Sequence, residues 1–213
     1  MERFFILDKF NTWFDWDLVL TEKDVTPPEP KTNYVKLDGM SGSLDLSESL
    51  TGEITYEDRT VKASFWTDVG SYKDRERLLQ KITATLHGKK IKIVEPDDLD
   101  HYFIGRIKIK SRSNNLAYAE FTIEAICEPW RYAIAETVRT VTVNNQRTSV
   151  VINNNGVKTL CPVIIVTGTV VVDGITLTAG SYLIPDIRLR QGVNVIGVSG
   201  TGSATFTYRE ADL

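Results

Sequence analysis

The spacing of apolar residues is the feature that most constrains the fold of this 213-residue chain. Only one stretch, Ser71 to His87, places its apolar side chains on one face of a helix, starting at Leu78. In most other apolar stretches, such as Phe103 to Ile109 and Ala117 to Cys127, every second residue is apolar, which is typical of half-buried strands. The sequence therefore predicts a mostly β protein with one main α-helix.

Local signals predict where the helix begins and ends. Ser71 lies three residues before Asp74, which is the spacing of a capping pair. Gly88 stands where a left-handed residue commonly ends a helix. After the helix, a row of Lys and Arg and a row of Glu are expected on two paired strands that turn at Ser113 to Asn115.

The chain before the helix contains fewer regular patterns. Strands are predicted at Ile54 to Tyr56 and at Val61 to Phe65, on either side of the segment Glu57 to Arg59. Thr21 to Asp38 contains three prolines and is predicted to be an extended loop or linker. Residues 39–52 are rich in Gly and Ser and form a long additional loop for a compact domain.

Composition changes near residue 130, which predicts two domains, 1–130 and 131–213. The first part carries 18 Lys or Arg and 23 Asp or Glu, whereas the second carries only 7 and 5. The second part is rich in Val, Ile, Thr, Gly and Asn, and turn signals recur every 8–12 residues, as in a β-sandwich. Asp173-Gly174 is a strong hairpin signal, Asp186 to Leu189 is predicted as a strand, and Gly200 to Ala204 is predicted as a β-turn.

Charge and hydropathy exclude several classes of protein. The net charge of −3 gives no basic excess for nucleic-acid binding, and no apolar run is long enough for a membrane-spanning helix. The amino terminus lacks the pattern of a secretory signal, so a protein made in the cytoplasm is expected. Aromatic residues near the amino terminus are expected in the core or at a subunit interface; they are Phe4, Phe5, Phe10, Trp13, Phe14 and Trp16.

Few residues in the sequence are candidates for catalysis or metal binding. His87 is expected to have a capping or surface role, and His101 lies in an acidic segment without the ligand spacing of a calcium loop. Cys127 is predicted to be a buried structural thiol, and Cys161 lacks a nearby His that could activate it. Gly200-Thr-Gly202 lacks the Lys and the helix of a phosphate loop. No enzyme activity, cofactor or metal is predicted.

An ordered set of short motifs extends over most of the chain. It includes Gly42-Ser-Leu-Asp-Leu46, Leu50-Thr-Gly52, Leu86-His-Gly-Lys89 and Tyr102-Phe-Ile-Gly-Arg106. In this order the motifs resemble the distal tail protein family of long-tailed phages, or prophages, of Gram-positive bacteria. The candidate ring-interface residues implied by this resemblance are Asp38, Gly39, Gly42, Leu44, Asp45, Leu46, Leu50, Gly52 and Arg59. The Arg-Asp-Gly that many relatives carry before this segment is replaced here by Leu37-Asp-Gly39.

The resemblance implies a structural protein of the virion tail tip. It predicts a homo-hexameric ring, with stacked rings as a variant, built from β-sandwich-like N-terminal domains with a helix and belt hairpins. The galectin-like C-terminal sandwiches would face outward. The ring would contact the tail tube on one side and a tail-associated or fibre protein on the other, and in some members a receptor-binding protein. DNA would pass through the central hole without sequence-specific binding.

Two other functions remain open from the sequence. The β-sandwich of 131–213 favours a carbohydrate-binding module, although its only aromatic residues are Tyr132, Tyr182, Phe206 and Tyr208. A wall hydrolase would need two carboxylates held on either side of a glycosidic bond, and a sequence alone does not show which carboxylates converge.

Overall fold

The computed structural model describes residues 4–213 and divides into two compact units. The first unit extends to Arg131 and also includes Leu213, and the second comprises Tyr132–Asp212. This division falls within a few residues of the change in composition. In the part of the chain that the structure describes, no helix has the length and apolar character needed to cross a membrane.

The first unit is built on one antiparallel sheet with a single helix packed on it. In spatial order its strands are β2-β1-β7-β8-β9-β6-β3, and β4 and β5 form a separate two-stranded sheet. The elements are β1 (Ile6–Leu7), β2 (Phe10–Asn11), β3 (Val19–Val25), β4 (Tyr34–Val35), β5 (Leu44–Asp45), β6 (Arg59–Thr67), α1 (Tyr72–Leu86), β7 (Lys90–Glu95), β8 (Asp98–Asn114) and β9 (Ala119–Cys127).

The predicted helix is confirmed, and its ends are those that the sequence indicates. Ser71 is the N-cap and forms a reciprocal capping box with Asp74, which satisfies two free N–H groups of the first turn. The helix ends at Leu86 with His87 as its C-cap, and Gly88 follows with φ +77°. The buried helical residues Leu79, Ile82 and Leu86 join the core of the unit.

Alternation on the central strands places the core on one face of the sheet. Along β6 every second residue is buried, as are Ala119, Phe121, Ile123 and Ala125 on β9. The predicted facing rows are also present, since Lys108 is directly opposite Glu124. The fold is therefore mostly β with one main helix, as the sequence predicts.

Three local predictions for the first unit are wrong. Ile54 to Tyr56 is not a strand, and only Tyr56 forms an isolated bridge, with Pro30. The first part of the Pro-rich segment, Thr21 to Val25, belongs to β3 and pairs with β6. The three prolines come after β3, so none of them has to donate a hydrogen bond to the sheet. β8 also continues through the predicted turn to Asn114, so the turn lies at 115–118.

The second unit contains one antiparallel sheet whose buried side chains form a single core. Strand β16 is central, because it pairs with β11, β12 and β13, and β13 also pairs with β14 and β15. The strands of this sheet are β11 (Thr137–Asn144), β12 (Thr148–Asn154), β13 (Val163–Val172), β14 (Ile175–Leu177), β15 (Gly180–Leu183) and β16 (Gly192–Tyr208). Outside it, β10 (Arg131–Ala133) pairs with β17 (Ala211–Asp212).

The structure confirms the Asp173-Gly174 hairpin and corrects two other predictions. Asp173 and Gly174 have φ of 45° and 88°, so both central residues are left-handed, as a two-residue hairpin turn of this kind requires. The predicted strand Asp186 to Leu189 is reduced to an isolated bridge from Leu189 to Leu160.

The predicted β-turn at Gly200 to Ala204 is also wrong, because this segment lies inside β16. Gly200 pairs with Val170, and Gly202 pairs directly with Gly168 on β13. A Cβ atom on Gly202 would lie 1.8 Å from the carbonyl oxygen of Thr167. The glycines therefore permit a close approach of two strands.

Candidate interaction surface

Most of the candidate interface residues lie on the small hairpin formed by β4 and β5. Tyr34 pairs with Asp45 and Val35 with Leu44, so the intervening residues form a loop. Gly39 and Gly42 turn this loop with φ of 84° and 86°, values that residues with a side chain rarely adopt. The start of the Gly-rich segment, residues 39–42, therefore lies in the loop that connects the two strands of a β-hairpin.

Asp45 organises the base of the hairpin through short-range hydrogen bonds. Its Oδ1 accepts hydrogen bonds from the backbone N–H of Ser47, at 2.9 Å, and from the Ser47 hydroxyl. The Ser47 hydroxyl in turn accepts from the N–H of Asn33 at 2.8 Å, and Asn33 accepts from the N–H of Leu46. The Ser47 hydrogen bonds lower the pKa of Asp45, which stays ionised.

A tight turn follows the hairpin and carries Leu50 and Gly52. The N–H of Gly52 donates to the carbonyl of Glu48 at 2.7 Å, and Gly52 has φ of 70°. Leu50 is 97% exposed. A branched apolar side chain at the tip of a structured turn makes almost no contact within its own chain.

The hairpin and the segments beside it expose an unusual number of large apolar side chains. None of them belongs to the core of the first unit. Exposed apolar side chains concentrated in one segment are a feature of interaction surfaces, so this segment is a candidate for one. The exposed residues are Tyr34, Leu37, Met40, Leu44, Leu50 and Ile54.

Arg59 is placed differently from the other eight candidate residues. It lies on β6 and is buried, with its guanidinium 5.1 Å from the centre of the Phe103 ring. Its Nε and Nη2 atoms make no hydrogen bond within residues 4–213. Burial and the nearby Arg131 lower the pKa of Arg59. Arg59 therefore lies in the interior with two unsatisfied nitrogens and is not on the exposed hairpin.

The N-terminal aromatic residues divide between core and surface. Phe5 and Trp16 are buried in the core, as expected. Trp13 and Phe14 are exposed, and the N–H groups of both donate to the side chain of Asn11.

The candidate catalytic residues are engaged in structural contacts. The ring Nδ1 of His87 accepts a hydrogen bond from the N–H of Ile109, and the Nδ1 of His101 lies 2.9 Å from Asp98. Burial raises the pKa of the Cys127 thiol to about 12. Cys161 is exposed, and no cluster of metal ligands occurs among the residues that the structure describes.

Sequence analysis identified the loop of the hairpin but missed both of its strands. Tyr34 and Val35 form a two-residue strand within a Pro-rich segment, which is too short to give an alternating pattern. The one available signal was the Asx and Ser pair at Asp45 and Ser47, which is typical of a local turn.

Comparison with family models and with curated protein sequences gives no match. Among solved structures, the chain is similar to SPP1 Dit (gp 19.1), described as a paradigm of the hub adsorption apparatus in phages that infect Gram-positive bacteria. The two proteins are 13% identical, the alignment covers 100% of both chains, and the TM-score is 0.73. This chain therefore has the fold of a phage distal tail protein over its full length, and the fold implied by the sequence resemblance is confirmed.

Proposed function

We propose that this chain is the structural hub of a phage tail tip. In this proposal, six copies form a ring that joins the tail tube to a tail-associated or fibre protein and lets DNA pass through its centre. The protein would be made in the bacterial cytoplasm and become part of the virion tail tip. The observation that carries the proposal is the likeness to SPP1 Dit, because it extends over the whole of both chains.

The exposed hairpin supports assembly as the role of the first unit. A cyclic ring uses heterologous contacts, in which one surface of a subunit meets a different surface of its neighbour. The hairpin offers an apolar surface that its own unit leaves uncovered. Packing against a neighbour would remove these side chains from water, which contributes about 25 cal/mol for each Å² of apolar surface.

The mass of the purified protein tests the proposal directly. Size exclusion with light scattering should give about 144 kDa for six chains of 24.0 kDa each. A protein that remains a 24.0 kDa monomer at concentrations of about 100 μM would contradict a self-assembling ring.

Two matched variants test whether the hairpin forms the interface. Leu50 on the hairpin turn and Leu116 on the β8–β9 turn are 97% and 93% exposed, and both belong to the first unit. Leu50→Asp should lower the mass toward that of a monomer, because the charge would be buried in the contact. Leu116→Asp should leave the mass unchanged. Equal effects of the two substitutions would exclude a specific role for the hairpin.

The alternative of a carbohydrate-binding module in the second unit has little support from its aromatic residues. Phe206 and Tyr208 are buried in its core. The hydroxyl of Tyr182 donates to the carbonyl of Thr178, and the ring of Tyr132 lies under the Lys158 ammonium at 4.8 Å. The two half-buried rings are thus engaged in their own unit, Tyr182 against the core and Tyr132 against Lys158.

A further inference from the structure

A groove of about 370 Å³ lies on the outer face of the sheet in the first unit. Strands β3, β6, β9 and β8 form its floor. Its side chains are polar or aromatic, unlike those of the inner face, which forms the core. The lining includes Glu22, Ser64, Trp66, Ser113, Glu120 and Thr122.

Strand register places these side chains in two adjacent rows. Ser64 is paired with Glu22 on one side and with Thr122 on the other. In the next row, Trp66 is directly opposite Glu120. Directly paired residues point to the same face and lie about 4.5–5.5 Å apart, so each row presents a continuous set of polar groups.

Two β-bulges flank the groove. The ladder shifts between Leu20 and Glu22 on β3, and again between Ile109 and Ser111 on β8. These strands lie on either side of the β6–β9 pair, and both shifts fall beside the groove. A bulge bends its strand and redirects side chains, so the sheet departs from regular geometry on both sides of the groove.

The carboxylate of Glu120 has fewer interactions than that of Glu124, which lies on the same strand and face. Glu124 forms an ion pair with Lys110 at 3.0 Å, the usual arrangement on a solvated sheet. Glu120 has no ion-pair partner among residues 4–213 and accepts only a long hydrogen bond, 3.4 Å, from the Ser113 hydroxyl. Its oxygens therefore keep most of their capacity to accept hydrogen bonds from a ligand.

Trp66 and Glu22 complete the polar and aromatic lining. Trp66 is half-buried, and its indole N–H donates no hydrogen bond in the described part of the chain. Glu22 lies 3.4 Å from the Ser64 hydroxyl and 3.8 Å from the Lys62 ammonium, so neither contact is close. The groove thus offers a flat aromatic ring, a free N–H donor and two acceptor carboxylates.

We infer that this groove is a binding site for a neutral oligosaccharide. A sugar ring presents an apolar face, which packs on an aromatic ring, and peripheral hydroxyls, which donate to carboxylates and exchange hydrogen bonds with Ser and Thr. The two carboxylates outnumber the one cation of the lining, Arg112, which already pairs with Glu76 at 2.9 Å, so the groove disfavours phosphate, nucleic acid and acidic sugars. The polar lining disfavours an apolar ligand, which would bury unsatisfied groups.

A neutral glycan array, followed by calorimetry on the intact chain, tests the inference. At least one neutral oligosaccharide should bind with a Kd below about 1 mM. Trp66→Ala and Glu120→Gln should each weaken this binding at least about tenfold. Two matched controls should stay within about twofold of the unsubstituted protein: Trp13→Ala, at an exposed Trp elsewhere in the unit, and Glu124→Gln, on the same strand.

Several outcomes would overturn the inference. These are no binding to any neutral glycan at about 10 mM, binding to acidic glycans only, or equal effects of Glu120→Gln and Glu124→Gln. Glu120→Gln is nearly isosteric, so it remains informative if Trp66→Ala disturbs folding. The calorimetry measures binding to the groove directly, so a monomer by light scattering would leave this test intact.

Discussion

Replacement of Gly202 by Ala should severely destabilise the second unit, because two separate penalties act at this position. Gly202 has φ of 142°, and a Cβ there would lie 1.8 Å from the carbonyl oxygen of Thr167 on β13. Gly174, at the hairpin turn of the same unit, has φ of 88° but no atom within 4 Å of its Cβ position. Gly174→Ala is therefore a matched control, because it introduces backbone strain but no steric clash.

The expected magnitudes follow from this geometry. Backbone strain at Gly174→Ala should cost about 1–2 kcal/mol. At Gly202, the strands must also separate by roughly 1.6 Å for the Cβ to reach an ordinary contact distance of about 3.4 Å, which stretches ladder hydrogen bonds of about 2.9 Å beyond their useful range. Each buried backbone group left unpaired costs about 1–3 kcal/mol, so Gly202→Ala should cost about 4 kcal/mol or more.

Urea unfolding followed by two probes distinguishes the units. All four Trp residues, Trp13, Trp16, Trp66 and Trp130, lie in the first unit, so fluorescence reports that unit. Amide hydrogen exchange of β13 and β16 reports the second. Gly202→Ala should accelerate this exchange far more than Gly174→Ala. If the two variants agree within about 0.5 kcal/mol, the close approach of β13 and β16 is not the reason for glycine at this position.

Three further predictions concern the first unit and the cysteines. Arg59→Met should stabilise the chain in thermal unfolding, because it removes two buried guanidinium nitrogens without an acceptor, each costing about 1–3 kcal/mol. Arg59→Ala should destabilise the chain through lost packing, and a lower melting temperature for both variants would refute this reasoning. A thiol reagent at pH 8 should modify Cys161 quickly and Cys127 only after denaturation, because burial raises the pKa of Cys127 to about 12. Fast modification of both thiols in the native protein would contradict the structure. Ser71→Ala should lower the melting temperature at neutral pH. Hydrogen bonds from Ser71 lower the folded-state pKa of Asp74. The stability that this cap contributes is therefore present above the ordinary pKa of 3.8 and is lost as pH falls through the folded-state pKa. A penalty that does not shrink in acid would show that Asp74 is not the partner.

Local signals explain which parts of the fold could be predicted from the sequence. The helix is specified by residues close together in the chain, since its apolar face and its Ser71–Asp74 cap lie within 17 residues of each other. The Asp173-Gly174 turn is equally local. Alternation also identified the buried face of β9. In each case the physical cause lies within one element or one turn.

The failed predictions depend on residues that are distant in sequence. Gly200 and Gly202 resemble a turn until β13 is placed beside them, about 30 residues away in the chain. The groove could not be predicted for the same reason, because alternation shows that Trp66 and Glu120 point outward but not that they face each other. The hairpin residues were found by family resemblance, and their pairing with Tyr34 and Val35 gives no pattern of its own.

The interactions within the β4–β5 hairpin are too few to stabilise it on their own. Each strand has only two residues, and an isolated two-stranded hairpin is marginally stable in water even when longer. The hydrogen bonds that Asp45 accepts from Ser47 fix its base, but they are exposed to solvent and contribute little net free energy. Its apolar side chains add nothing while they remain in contact with water. If a neighbouring subunit covers Leu44 and Leu50, the same contact stabilises both the hairpin and the oligomer, so that folding of this segment and assembly become a single equilibrium.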